Sequence, residues 1–117
     1  MMTLRQKQSA FVLLVAKLIA HADIEGYELT FGETYRSPEE ALRLSKLGLG
    51  IKNSLHTIRL AVDLNLFRDG IYLSSTESHR LLGEWWEAQS IPPELICNWG
   101  GRFGDGNHYS IGHGGKK

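Results

Sequence analysis

Cysteine is almost missing from this chain: Cys97 is the only one in 117 residues. No internal disulfide can form, and no cage of several thiolates can hold zinc, so any transition metal must take its ligands from histidine and carboxylate. Charge of one sign is lacking too, because thirteen Lys and Arg balance thirteen Asp and Glu. Without a global positive field, no nucleic-acid partner is expected and no anionic membrane surface is favoured. The one basic cluster, Lys116 and Lys117, is too short to hold a polyanion. Long apolar runs are also absent. "AFVLLVA", residues 10–16, mimics the core of a short signal peptide, but Lys17 interrupts it well short of a bilayer's width. Neither a secretion signal nor stable membrane association is therefore expected. No repeat, linker or low-complexity segment divides the chain, so residues 1–117 are expected to form a single domain and a monomer.

What is present is an ordinary globular composition, 42% apolar and 22% charged, in a length that suffices for one core. Phe11, Leu14, Val15, Leu18 and Ile19 fall at the spacing of one helix face, which predicts a first helix from Thr3 to about Ala22. Tyr27, Leu29 and Phe31 alternate as in a half-buried strand. "SPEEALRLSKLG" carries Ser37 as N-cap, Pro38 at the first helical position, acidic residues in the first turn and Gly48 as the stop. "RLAVDLNLF" reads as a strand that turns back at Asp69-Gly70, a hairpin signal. "STESHRLLGEWWEAQS" reads as a third helix, with Pro92-Pro93 beyond its end. "CNWGGRFGDGN" reads as an irregular loop and "HYSI" as a closing strand. The class predicted is α+β, a small antiparallel sheet flanked by helices.

Three residues on this frame suggest chemistry. His56 and Asp63 bracket the entry to the hairpin strand, and His108 opens the last one. Taken singly, a histidine beside a strand such as His56 is more often a hydrogen-bonded core residue, and His108 could sit on a surface strand. Asp63 is harder to explain, since an unpaired carboxylate in an apolar strand is costly and wants a cation. Two imidazoles and one carboxylate form a three-ligand set for a catalytic zinc, with a fourth position left for water. Asp105, three residues before His108, could shuttle a proton if the intervening "GN" makes a tight turn, and Arg36 could offer a fixed cation to an oxyanion. His21, His79 and His113 belong to no such set and are expected to face solvent, His113 on a frayed tail. Trp99 could line a cleft or close the core. Of Trp85 and Trp86, one is expected to pack and the other to be partly exposed.

"SLHTIRLAVD", residues 54–63, resembles the S-x-H-x-x-G-x-A-x-D signature of the zinc D-Ala-D-Ala carboxypeptidases and L-alanyl-D-glutamate endopeptidases, the LAS superfamily, which includes many small phage endolysins. "DGNH" is similar to its second motif and "TYRS" to the segment carrying its substrate-binding arginine, and the order of the five positions is kept. The likeness runs from about Thr30 to Ile111. It implies a hedgehog- and D,D-peptidase-like fold, one zinc ion held by His56, Asp63 and His108, and Asp105 as the base that later protonates the leaving amine. It also implies that Arg36 holds the scissile carbonyl or a substrate carboxylate, and that Ser54 hydrogen-bonds near the site. The implied activity is hydrolysis of an amide in the peptidoglycan stem peptide, L-Ala-D-Glu ahead of D-alanyl-D-alanine. A non-catalytic, zinc-containing wall-binding module on the same scaffold is the alternative. The implied setting is a phage protein made in the host bacterial cytoplasm and acting on the wall after membrane permeabilisation. One departure stands out: Arg59 occupies the position where the signature has glycine.

Overall fold

The computed structural model describes all of residues 1–117. Helix α1 (Leu4–Ile24) starts at a reciprocal cap, in which the Thr3 hydroxyl accepts from Gln6 N and the Gln6 side chain accepts from Thr3 N. Such a cap contributes about 1 kcal/mol. The face bearing Phe11, Leu14, Leu18 and Ala22 is buried, as its spacing predicts. Helix α2 (Pro38–Lys46) is capped by Ser37, whose hydroxyl accepts from Glu40 N, and gives way at Leu47 to Gly48 with φ +71°. Helix α3 (Arg80–Ala88) is shorter than its sequence pattern, because a 3-10 turn over Glu77–His79 precedes it. No helix is long and apolar enough to cross a membrane.

Five antiparallel strands make the sheet: β1 (Glu28–Phe31), β2 (Ala61–Arg68), β3 (Ile71–Tyr72), β4 (Cys97–Trp99) and β5 (His108–Ile111). The order is β1-β2-β5-β4, with β3 continuing the hairpin from β2 through Asp69-Gly70, both at positive φ. β2 is the organiser. Its first three residues pair with β5, Asp63 lying opposite His108, and its next four pair with β1. Residues 62, 64 and 66 are buried while 63, 65 and 67 are half-buried, so β2 presents a core face and a second, wetter face. Asp63 lies on the wetter face, which is how a carboxylate is accommodated between Val62 and Leu64.

The core face joins Leu60, Val62, Leu64, Leu66, Tyr109 and Ile111 to α1 and to Leu82 and Trp86 of α3. The Trp86 indole donates to the Ser110 carbonyl (3.1 Å), and Trp85 is only partly buried, stacked on His21 at 4.7 Å. Trp99 closes the core rather than a cleft: it is 1% exposed, and its indole donates to the Gly106 carbonyl at 2.7 Å. The segment read as a wholly irregular loop contains β4, which pairs with β5 from Cys97↔Ile111 to Trp99↔Tyr109. Its three residues are too few to show a period in the sequence, and only the partner strand defines them. Burial pushes the Cys97 thiol up to about 11, which leaves it an inert core group.

None of the three histidines expected to face solvent does so fully, and His21 is half-buried against Trp85. His79 is 2% exposed, and its Nδ1 pairs with the Tyr109 hydroxyl at 2.8 Å. His113 is half-buried in an ordered turn, its Nδ1 3.3 Å from Lys7 Nζ. The surrounding glycines that suggest fraying instead supply the positive φ that this turn requires.

Candidate metal centre

The sheet register itself brings two of the implied ligands together. Asp63 and His108 are direct cross-strand partners, so their side chains rise from the same face, and His108 Nδ1 lies 3.2 Å from Asp63 Oδ1. His56 arrives from outside the sheet on a 3-10 turn over Leu55–Ile58. Ser54 caps that turn, its hydroxyl accepting from His56 N at 3.1 Å, and the turn is tied to the β1–α2 connection by a hydrogen bond from Arg36 N to the His56 carbonyl. This places His56 Nε2 3.3 Å from the same Asp63 oxygen. The ligand atoms of His56, Asp63 and His108 all lie within 4.8 Å of one another, and the three side chains are 4, 22 and 10% exposed.

The remaining imidazole nitrogens decide what this cluster can do. His56 Nδ1 faces the Thr34 carbonyl at 3.0 Å, and His108 Nε2 faces the Lys117 main-chain oxygen at 3.1 Å. Both oxygens only accept, so each of these nitrogens carries the proton. In the neutral rings, His56 Nε2 and His108 Nδ1 are then bare lone pairs, both turned on one carboxylate oxygen. Three electron donors converging without a proton between them favour the binding of a metal cation. Without one, the cluster takes up charge itself. Burial opposes a charge on His56, but Asp63, the Thr34 carbonyl and Glu33 outweigh it and raise its pKa. Burial likewise opposes ionisation of Asp63, yet the two imidazoles bring it down to about 2. The donor set, N, N and O with soft thiolate excluded, fits zinc.

Asp105 stands at the edge. The turn expected between it and His108 is present, with His108 N donating to the Asp105 carbonyl at 3.1 Å. Gly106 is needed there, since a Cβ would come within 2.5 Å of Thr76 Cα. The Asp105 carboxylate reaches 3.9 Å from His108 Nδ1 and remains 53% exposed, accessible to a substrate. Burial raises its pKa and Asp63 adds to that, against the pull of His108 and His56.

Arg36 lies beside His56, largely buried, and is paired with Glu33. Its Nε is buried with no partner, and its Nη1 lies close under Gly50. Glu33 was not singled out in the sequence, although its carboxylate comes within 3.8 Å of His56 Nε2. Its spacing three before Arg36 suggests an ion pair and nothing more. Ser54 is itself buried and engaged as the cap, so its contribution to the site is to aim His56. Arg59 adopts φ +59° and ψ 38°, the left-handed conformation that explains a glycine at this position in the signature. Its guanidinium lies 4.1 Å above the Tyr35 ring, at the rim of an apolar hollow of about 340 Å³ between α1 and the end of β1.

No family model matches this chain, and no curated protein does either. Among solved structures, its fold is similar to that of the vancomycin resistance D,D-pentapeptidase VanY from a VanB-type cassette, an E175A mutant in complex with Zn(II). The TM-score is 0.58 at 18% identity, over 87% of this chain and 70% of that one.

Proposed function

We propose that this chain is a zinc-dependent peptidase of bacterial cell-wall peptides. One observation carries the reading: two imidazoles whose outer nitrogens are fixed by main-chain oxygens aim their lone pairs at a single carboxylate oxygen. His56, Asp63 and His108 would hold one zinc ion, leaving a coordination position open. Bound there, zinc supplies a Lewis acid for the scissile carbonyl and acidifies water. The protein's own groups manage the protons and the charge. Asp105, held by the Gly106 turn and partly open to solvent, takes a proton from the attacking water and returns it to the leaving amine. Its raised pKa suits both halves of that task. Arg36 would exchange Glu33 for the substrate, its buried and unpartnered Nε marking a cation not fully used within the protein.

The L-Ala-D-Glu bond is the favoured target, supported by "DGNH", in which the acidic residue is aspartate as in the phage endopeptidases it resembles. A D-alanyl-D-alanine carboxypeptidase is the second reading, and similarity of fold to a D,D-pentapeptidase favours it. Asp105 argues against a non-catalytic wall-binding module, which has no use for a proton shuttle beside its metal. The working place we propose is the wall, reached from the host cytoplasm through a separate membrane lesion. The test is mass spectrometry of fragments released from purified peptidoglycan by the zinc-loaded chain and by Asp105→Ala. We expect a new stem-peptide terminus with the first, and a rate lower by about 10²–10⁴ with the second at unchanged zinc content. Undiminished hydrolysis by Asp105→Ala would remove that residue from the mechanism. Release of terminal D-alanine alone would replace the endopeptidase by the carboxypeptidase.

A further inference from the structure

The last six residues do something for which the peptidase reading gives no reason. After β5 the chain turns back through Gly114 and Gly115, at φ +58° and +77°, closed by hydrogen bonds between His113 and Lys116 in both directions. This is a two-residue hairpin turn of the primed kind, which demands positive φ at both central positions. Gly112 N anchors its base on the Ile96 carbonyl at 2.9 Å. The turn carries Lys117 back over the face of β5 on which His108 and Ser110, two residues apart, point the same way. The Lys117 main-chain oxygen accepts from both, from Ser110 Oγ at 2.5 Å and from His108 Nε2 at 3.1 Å.

We propose that the segment Gly112–Lys117 is a positioning element for the metal centre, whose main-chain oxygen at Lys117 holds His108 in the tautomer that leaves Nδ1 free to ligate. The inference rests on the proposed metal site and deepens it. His56 takes the same kind of support from Thr34, a neighbour in the body of the fold, but His108 takes it from a hairpin that reaches the site only through the two glycines. Ser110 is the companion group. Fully buried, it shares the Lys117 oxygen and keeps it over the imidazole. Groups that orient a ligating histidine in this way are worth about 10–100-fold in metal affinity. The side chain of Lys117 plays no part, because only its main-chain oxygen is used.

The test compares full-length variants by two readouts: ¹⁵N NMR of the imidazoles in the metal-free protein, and Zn(II) affinity measured against a chromophoric chelator. Gly114→Val with Gly115→Val puts β-branched residues where φ is positive and should open the turn. We expect His108 to lose its fixed Nε2–H tautomer and zinc to bind about 10–100-fold more weakly, while His56 keeps its Nδ1–H tautomer. Gly114→Asn, which tolerates the left-handed conformation, and Lys117→Ala, which keeps the oxygen, should both match the parent chain. Ser110→Ala leaves the turn intact and should shift both readouts in the same direction by less, so it decides the matter if the valine variant does not fold. An unchanged tautomer and affinity in the folded valine variant, or in Ser110→Ala where it alone folds, overturns the proposal. Failure of the parent chain to bind zinc would overturn the metal reading instead, and the tautomer comparison would still decide whether the tail fixes His108.

Discussion

His79 offers a quantitative check on how dry the interior beneath the site is. It lies against Tyr109, whose strand neighbour His108 belongs to the proposed metal set, and desolvation alone lowers its pKa from 6.5 to about 4. The sign of the effect follows directly. Between those two values the unfolded chain binds a proton that the folded chain refuses, so stability is complete above pH 6.5 and is lost as pH falls towards 4. The whole difference is worth on the order of 3 kcal/mol, of which about 2 kcal/mol should be gone by pH 5. The perturbation is His79→Asn, which can still bond the Tyr109 hydroxyl but does not titrate. Urea unfolding, followed by the fluorescence of the buried Trp86 and Trp99 with a chelator present, gives the stability of both proteins from pH 7.5 to 4.5. The His56–Asp63–His108 cluster titrates in both proteins and cancels in the difference. The stability advantage of the parent chain over His79→Asn should shrink by about 2 kcal/mol between pH 7 and 5. Parallel curves would show that this histidine is hydrated and that the burial argument is wrong.

Substitutions at two further positions, Gly83 and Arg59, test the packing and the backbone. Gly83→Ala exchanges a poor helix former for the best and should stabilise α3 by about 1 kcal/mol on propensity. A Cβ there runs into the Trp99 ring, however, so the expected result is a loss of about 2–3 kcal/mol in the urea midpoint analysis. Arg59→Gly should leave thermal stability within about 1 kcal/mol of the parent, relief of the left-handed backbone offsetting the lost contact with Tyr35. Arg59→Val should cost about 1–2 kcal/mol, and equal melting of the two variants would mean that φ +59° carries no strain at this position.

Much of the frame was legible from local signals. Thr3, Ser37, Pro38 and Gly48 mark helix ends because caps and positive φ act within a few residues, and "RLAVDLNLF" with Asp69-Gly70 after it marks the hairpin strand. The convergence of His56, Asp63 and His108 was legible as well, through the order and spacing of "SLHTIRLAVD" and "DGNH". The β4 strand, the burial of His79 and the turn around His113 were not, since each is defined by a partner distant in the chain: β5, Tyr109 and Lys7 respectively.

The sequence alone excluded a cage of several thiolates, because the chain has one cysteine, and burial in the core then removed that one as well. It also determined where the imidazoles and the carboxylate sit along the chain. Tertiary structure alone decided which nitrogen of each ring is bare, because a tautomer is chosen by whatever faces the other nitrogen. Here those groups are the main-chain oxygens of Thr34 and Lys117. Every residue carries the same main-chain oxygen, so a main-chain acceptor leaves no trace in the letters, and only folding can bring it to the ring.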